Sequence, residues 1–248
     1  AARNQPNGHD SMTDASTKWH SALQTLRQNG RMALADWPAD TIAPEQLGLK
    51  AEGAFLSMPE RVRLYDEGYL DGQLKQVDAA ATLRLFDAVD STNTAMIRDA
   101  QAHGVGGHIY VAEFQTAGRG RRGRDWVGDF GRNVAMTVGF SFQRQLSDLG
   151  GLSCVAGLAL RQVLENLGVR AQLKWPNDVW FEDKKLAGIL VELIQTPTGA
   201  SAVIGMGINI DLSPEQTRMI DQAVVGLRAL NVAISREDLV VAIYDALS

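Results

Sequence analysis

Between Gly118 and Arg124 the chain places four arginines and three glycines in seven residues. Neither a helix interior nor a strand interior tolerates that composition, so a loop is forced here, directly after the apolar, β-branched run His108–Phe114. Glycine without a Cβ lets backbone approach a ligand or turn through positive φ. Arginine offers a rigid, permanently charged fork that matches phosphate and carboxylate oxygens. Trp126, two residues on, is an apolar lid or wall for whatever the loop covers. A basic surface loop and a nucleic-acid patch are the competing readings of this stretch by itself.

The rest of the composition narrows those readings. Net charge over the 248 residues is −5, so the globally basic footprint of a nucleic-acid binder is absent and the positive charge is local. The single cysteine, Cys154, excludes an internal disulfide, fits a reducing compartment, and is expected to be a small buried residue in an apolar run. No run of 18 apolar residues predicts a membrane span, and residues 1–10 carry no apolar signal region. The first residue is not methionine, and the natural start is expected upstream.

Residues 1–13 read as disordered. Ala15, Trp19, Ala22, Leu23 and Leu26 fall on one face of a helix over 14–29, with Gly30 as its stop. Residues 31–58 read as loop, and a helix starts near Asp66 and runs through Leu70 and Leu74. From about residue 82 the pattern changes. Leu83–Asp87 reads as a strand, and Asp90-Ser91-Thr92-Asn93 opens a helix over Thr94–His103, closed by Gly104. Asp90 or Ser91 is either an N-cap or a polar group facing a ligand. Alternating apolar positions make Asn133–Phe142 a half-buried strand, and Leu149–Leu167, apolar nearly all round, a deeply packed helix. Leu173–Phe181 is a strand broken at Pro176, and the polar turn around Glu182 returns it as a hairpin through Lys185–Leu193. Ala202–Ile210 is a further strand. Its glycines, Gly205 and Gly207, either mark a bulge or leave a flat face on which a ring system lies. Ser235-Arg236-Glu237-Asp238 caps a terminal helix over Leu239–Leu247.

Several common sites are excluded. There is no Walker A pattern, Gly205-Met206-Gly207 lacks the third glycine and helix of a dinucleotide site, and the four histidines form no metal-ligand spacing. What remains is an Arg/Gly loop, Lys174-Trp175-Pro176-Asn177-Asp178, a strand-starting Lys185 and a Gly-x-Gly-x-Asn strand. These suit an anionic nucleotide held without a covalent protein nucleophile.

Together and in this order, Asp90-Ser91-Thr92-Asn93, Gln115–Trp126, Lys174–Asp178, Lys185–Glu192 and Gly205–Asn209 closely resemble the biotin protein ligases, of the bacterial bifunctional ligase/repressor type. The resemblance is dense over residues 82–210. It implies an α+β (mixed α/β) fold with a central mixed β-sheet and flanking helices, related to class II aminoacyl-tRNA synthetases. It also implies a partial winged helix-turn-helix remnant and linker over 1–65 and a catalytic domain over 66–248, while the small C-terminal β-barrel of the family's bifunctional bacterial members is expected to be absent after the terminal helix. The implied activity uses ATP, biotin and Mg²⁺. Biotin attacks the α-phosphate to give biotinyl-5′-AMP, and a lysine of a biotin carboxyl carrier domain then takes the biotinyl group. By the same resemblance, Ser91, Thr92, Asn93, Gln115, Arg119, Gly120, Arg121 and Lys185 fall on biotin. Gly118, Arg122, Trp126, Lys174, Asn177, Asp178 and Asn209 fall on the nucleotide, with Asp178 near Mg²⁺. Lys185, Arg119 and Arg121 are the implied catalytic cations. Two departures stand out: Asp125 where close relatives carry a basic residue, and no tryptophan near Val224-Val225. A cytoplasmic enzyme that dimerises with adenylate bound, through the exposed edge of its sheet, is expected. The alternatives are a biotin-operon repressor, which needs an intact helix-turn-helix where half of one is visible, and a lipoate ligase.

Overall fold

A computed structural model describes Lys18 and residues 21–26, 28–38, 42–59 and 62–248, without the side chains of 101–103. Ala15 and Trp19 lie outside the described residues, as do residues 1–13 and their expected disorder. The chain divides into two units, residues 1–62 and 63–248.

In the first unit, Ala22, Leu23 and Leu26 are buried on a helix that Gly30 ends in the left-handed region. The stretch 31–58, expected as loop, instead carries β1 (Arg31–Ala33), β2 (Lys50–Glu52) and β3 (Phe55–Ser57), an antiparallel sheet in the order β1-β3-β2. Strands of three residues are too short to show a period in sequence.

In the second unit, β4 (Thr82–Phe86), β5 (His108–Ala112), β6 (Val134–Phe142), β7 (Gln172–Lys174), β8 (Asp178–Phe181), β9 (Lys184–Thr196) and β10 (Gly199–Ile208) form one sheet. Its order is β4-β5-β6-β10-β9-β8-β7. β4 and β5 are parallel and every other pair is antiparallel, so the sheet is mixed. Helices α1 (Glu67–Val77), α2 (Thr92–His103), α3 (Leu152–Asn166), α4 (Pro214–Met219) and α5 (Arg236–Leu247) complete it.

The two faces of the sheet differ, and this positions the site. Ile109, Val111, Met136, Val138, Ala202 and Ile204 point into the main core, against apolar side chains of α1, α3 and α5. Alternate residues point the other way. There Tyr110 and Val203 pack with Ala95 and Met96 of α2 in a smaller cluster. Thr137, Gly205 and Gly207 share the parity of that second face, so beyond α2 it is left low and polar.

α2 starts at Thr92, two residues earlier than expected. Ser91 occupies the N-cap position but makes no capping hydrogen bond with its side chain. α3 is not buried all round: Val155 and Leu158 are 56% and 52% exposed, and Cys154 is exposed rather than buried. An apolar composition does not say how many faces of a helix are covered. α5 is fastened to the rest of the unit by a buried cation. Arg236 meets Glu113 Oε2 at 2.7 Å, stacks 3.8 Å over Tyr65 and donates to the Arg63 carbonyl. Glu113 Oε1 accepts from the Tyr65 N–H at 2.6 Å. Burial pushes the Tyr65 phenol far above its ordinary range, against the opposing pull of Arg236.

Candidate active site

The floor of the site is a pair of glycines. Gly207 of β10 and Gly188 of β9 face each other across the ladder. A Cβ at Gly207 would run into the Trp126 ring, and one at Gly188 would come within 3.1 Å of Trp126 Cζ3. Gly207 and Gly188 therefore form a flat surface on which an indole lies, and β10 runs through Gly205 and Gly207 in unbroken register with β6 and β9. Gly205, one step along the same face, leaves room for the side chain of Asn93.

One wall is the start of α2. Ser91, Thr92 and Asn93 are each 3% exposed, deep for polar residues. Thr92 and Asn93 are satisfied locally, as buried polar groups must be. Gln115 Oε1 accepts from the Thr92 N–H at 2.8 Å. Thr137 Oγ1 lies 2.8 Å from Thr92 Oγ1 and 2.6 Å from Asn93 Oδ1. Asn93 Nδ2 donates to Leu190 O and to Glu192 Oε2.

The Arg/Gly loop is the second wall, and it is internally ordered. Trp126 N–H donates to Gly118 O at 2.8 Å, and Gly120 N–H to Arg124 O at 2.7 Å. Arg119 and Asp125 bridge antiparallel, and Arg122 turns the chain at φ 58°. A Cβ at Gly118 would collide with the Trp126 carbonyl, which accounts for glycine at the point where the two arms meet. Arg119, Gly120 and Arg121 line the cleft. Arg119 is already engaged: its terminal nitrogens lie 2.8 and 3.1 Å from the two oxygens of Glu192. Arg122 is exposed and lies off the cleft lining.

The third wall carries the buried cation. Lys185, 9% exposed, places Nζ 2.9 Å from Asp178 Oδ1 and 5.8 Å from the Trp126 ring centre. The pair is a close ion pair rather than an aligned hydrogen bond, since Asp178 Oδ1 has no hydrogen-bond partner of good geometry. Asn177 lines the cleft and ties itself to Ile189 O through Nδ2 at 2.8 Å. Asn209 is buried at the back of this wall, with Nδ2 3.3 Å from Lys185 O and Oδ1 unpartnered. Lys174 does not reach the cleft; its Nζ stacks 3.7 Å over Trp180.

Thr137, Glu192 and Gln222 brace or line the cleft without having been named as site residues in sequence, and Arg124 and Asp125 of the loop line it as well. Glu192 had a signal, a carboxylate inside an apolar strand, whereas Thr137 and Gln222 had none.

A family model for biotin/lipoate A/B protein ligases matches residues 85–209, half of the chain. The chain belongs to that family. It is 33% identical over 219 residues to the bifunctional ligase/repressor BirA of Escherichia coli, covering 88% of this chain and 62% of that relative. It is 36% identical over 188 residues to the biotin–[acetyl-CoA-carboxylase] ligase of Mycobacterium tuberculosis, covering 71% and 67% of the two chains. The chain thus spans about three fifths of the E. coli relative's length. Among solved structures, the biotin protein ligase of Leishmania major in complex with biotinyl-5-AMP superposes with a TM-score of 0.56 and 28% identity, covering 67% of this chain and 73% of that one. The matched region runs from β4 to the end of β10 and contains all three walls.

Proposed function

We propose that the chain is an ATP-dependent biotin protein ligase. It forms biotinyl-5′-AMP and pyrophosphate, then passes the biotinyl group to a lysine of a biotin carboxyl carrier domain. The observation that carries this reading is the buried Lys185, set at the foot of a glycine floor with the Arg/Gly loop above it. A carboxylate and a polyphosphate repel each other, and negative charge grows on the α-phosphate oxygens as they join. A fixed cation in a partly dry cleft stabilises that charge without reorganising, and the walls hold the reactants in line. Lys185 and Arg121 supply the charge, Ser91, Thr92, Asn93 and Gln115 the neutral polar wall for the vitamin, and Trp126 the cover that keeps water from the mixed anhydride. Asn177 and Asp178 set the nucleotide side. Among the described residues there is no cluster of three or more His, Cys, Asp or Glu side chains able to hold a metal, and Asp178 is committed to Lys185. In this reading Mg²⁺ enters with the ATP phosphates, as part of the substrate.

The test is pyrophosphate release with ATP and either biotin or lipoate. Release with biotin alone is expected; release with lipoate alone would transfer the reading to the lipoate branch of the family.

A second reading, DNA binding under adenylate control, is favoured by the helix and three-stranded sheet of residues 1–62 and by the name of the E. coli relative, a bifunctional ligase/repressor. A gel shift that appears when biotin and ATP are added would support it. Dimerisation belongs with it. β8 pairs β9 only as far as Gly188, so the edge of β9 beyond Leu190 has no partner strand among the described residues. No helix is long and apolar enough to cross a membrane among the described residues, and the lone Cys154 fits the cytoplasm.

A further inference from the structure

Glu192 has no part in the scheme above, yet it sits at the junction of two walls of the cleft. It lies on β9 between Leu190, which lines the cleft, and Ile194, which packs beneath α2. Its carboxylate accepts from three donors: both terminal nitrogens of Arg119, and Asn93 Nδ2 at 3.0 Å. Asn93 is 3% exposed and braced in turn by Thr137, so the carboxylate is held from the sheet side. Arg119 comes to it from the loop and also reaches Thr94 Oγ1 at 3.2 Å. The Arg–carboxylate contact is a two-pronged, charge-assisted pair, the geometry that fixes orientation as well as distance.

The loop's own hydrogen bonds make residues 118–126 a small unit, closed by Trp126 to Gly118 and Gly120 to Arg124. Such a unit hinges unless something fastens it to the scaffold. Arg119 to Glu192 is the ion pair that does so. Arg121 lines the same cleft but makes no side-chain hydrogen bond or ion pair among the described residues. The two arginines are thus unequal: one is spent on the protein, the other is open to a ligand.

We propose that Glu192 is a positioning residue, a catch that grips Arg119 and so seats the Arg/Gly loop, with Arg121 and Trp126, over the glycine floor. The consequence for substrate rests on the ligase reading; the catch itself does not. Arg119 then acts on the loop rather than on the substrate acid.

The experiment compares wild type, Glu192→Ala, Glu192→Gln, Arg119→Ala and the double variant Glu192→Ala with Arg119→Ala in the full chain, without ligand, by limited trypsin digestion after Arg121, Arg122 and Arg124. Cleavage there tracks how often the loop lifts. Loss of the catch predicts cleavage about tenfold faster in Glu192→Ala, the size expected for hydrogen bonds to a charged group. Glu192→Gln, which keeps the shape and the Asn93 contact, falls between. Arg119→Ala matches Glu192→Ala, and the double variant adds nothing further. A merely structural role would lower the melting temperature of every variant together and leave additive effects. In pyrophosphate release, KM for biotin rises more than kcat falls. Wild-type cleavage rates in both Glu192 variants, or fully additive effects with Arg119→Ala, overturn the proposal. If wild type forms no adenylate while Glu192→Ala is still cleaved faster, the ligase reading fails and the catch stands.

Discussion

At the scale of single residues, the account turns on Lys185 and the two glycines beneath Trp126. On the proposed function Lys185 serves stability and chemistry together, because Asp178 is only 13% exposed on its side chain and needs the cation. Lys185→Ala therefore strands a buried carboxylate, a loss on the order of 3 kcal/mol in folding free energy. It also removes a preorganised electrostatic donor, raising the adenylation barrier by about 3 kcal/mol. The combined variant Lys185→Ala with Asp178→Asn separates the two effects. Urea unfolding is expected to return towards wild type while pyrophosphate release stays more than a hundredfold down. Gly207→Ala forces its methyl into the Trp126 ring. We expect a destabilisation of about 1–3 kcal/mol by overpacking, largely relieved when Trp126→Ala is added, which a double-mutant cycle in urea measures directly. Composition and spacing made Lys185, Gly207 and the loop arginines legible as candidates. They did not make legible which arginine is free, because Glu192 is 73 residues away from Arg119 in the chain.

At the scale of elements, the long strands and helices were readable because apolar residues recur on them with a period: they alternate along β6, although residues 136–139 are buried on both faces rather than one, and α5 carries its Ser235 cap and apolar face. What escaped was set by neighbours. The three-residue strands of 31–57 exist through pairing, not periodicity. α3 leaves Val155 and Leu158 in solvent because the sheet and α5 cover only its other side. The start of α2 shows how an element end is tuned. Arg98 makes a two-pronged contact with Asp90, which also accepts the Ser91 N–H and, through its carbonyl, the Ala117 N–H of the Arg/Gly segment. Burial pushes the Asp90 carboxyl up, but Arg98 and the Ser91 N–H outweigh it and hold it below its ordinary value. A depressed carboxylate pKa adds stability above the unfolded value, near pH 4, and loses it as pH falls through the folded value. Arg98→Ala should thus lower the melting temperature at pH 7 and progressively less below about pH 4. Both side chains are about half exposed, so solvent screening keeps the neutral-pH cost under about 1 kcal/mol. A gap that holds constant from pH 7 to pH 3 would remove Asp90 from this explanation.

At the scale of the whole molecule, one face of the second unit's sheet is spent on the core, and on the proposed function the other takes a ligand. The main apolar cluster gathers α1, α3 and α5 on the first face. On the second, α2 covers the β5 end, and the glycine floor continues under the Arg/Gly loop. The core holds the sheet on which the three walls stand: the first two meet through Glu192, and the third approaches the loop through Lys185, 5.8 Å from the Trp126 ring centre. Mixed-sheet topology could be anticipated from the resemblance, whereas the pairing of Gly188 with Gly207 could not, since register is settled by β9 and β10 meeting across their whole length. The claim beneath all of this is that immobile cations over a flat floor let a carboxylic acid and a nucleotide phosphate join. Its most direct measurement is incubation of the purified chain with ATP and radiolabelled biotin, followed by rapid desalting and analysis of the bound label. The account predicts that the protein fraction carries close to one biotinyl-AMP per site, with pyrophosphate released in equal amount. Label emerging as free, unmodified biotin, with no pyrophosphate formed, would contradict it.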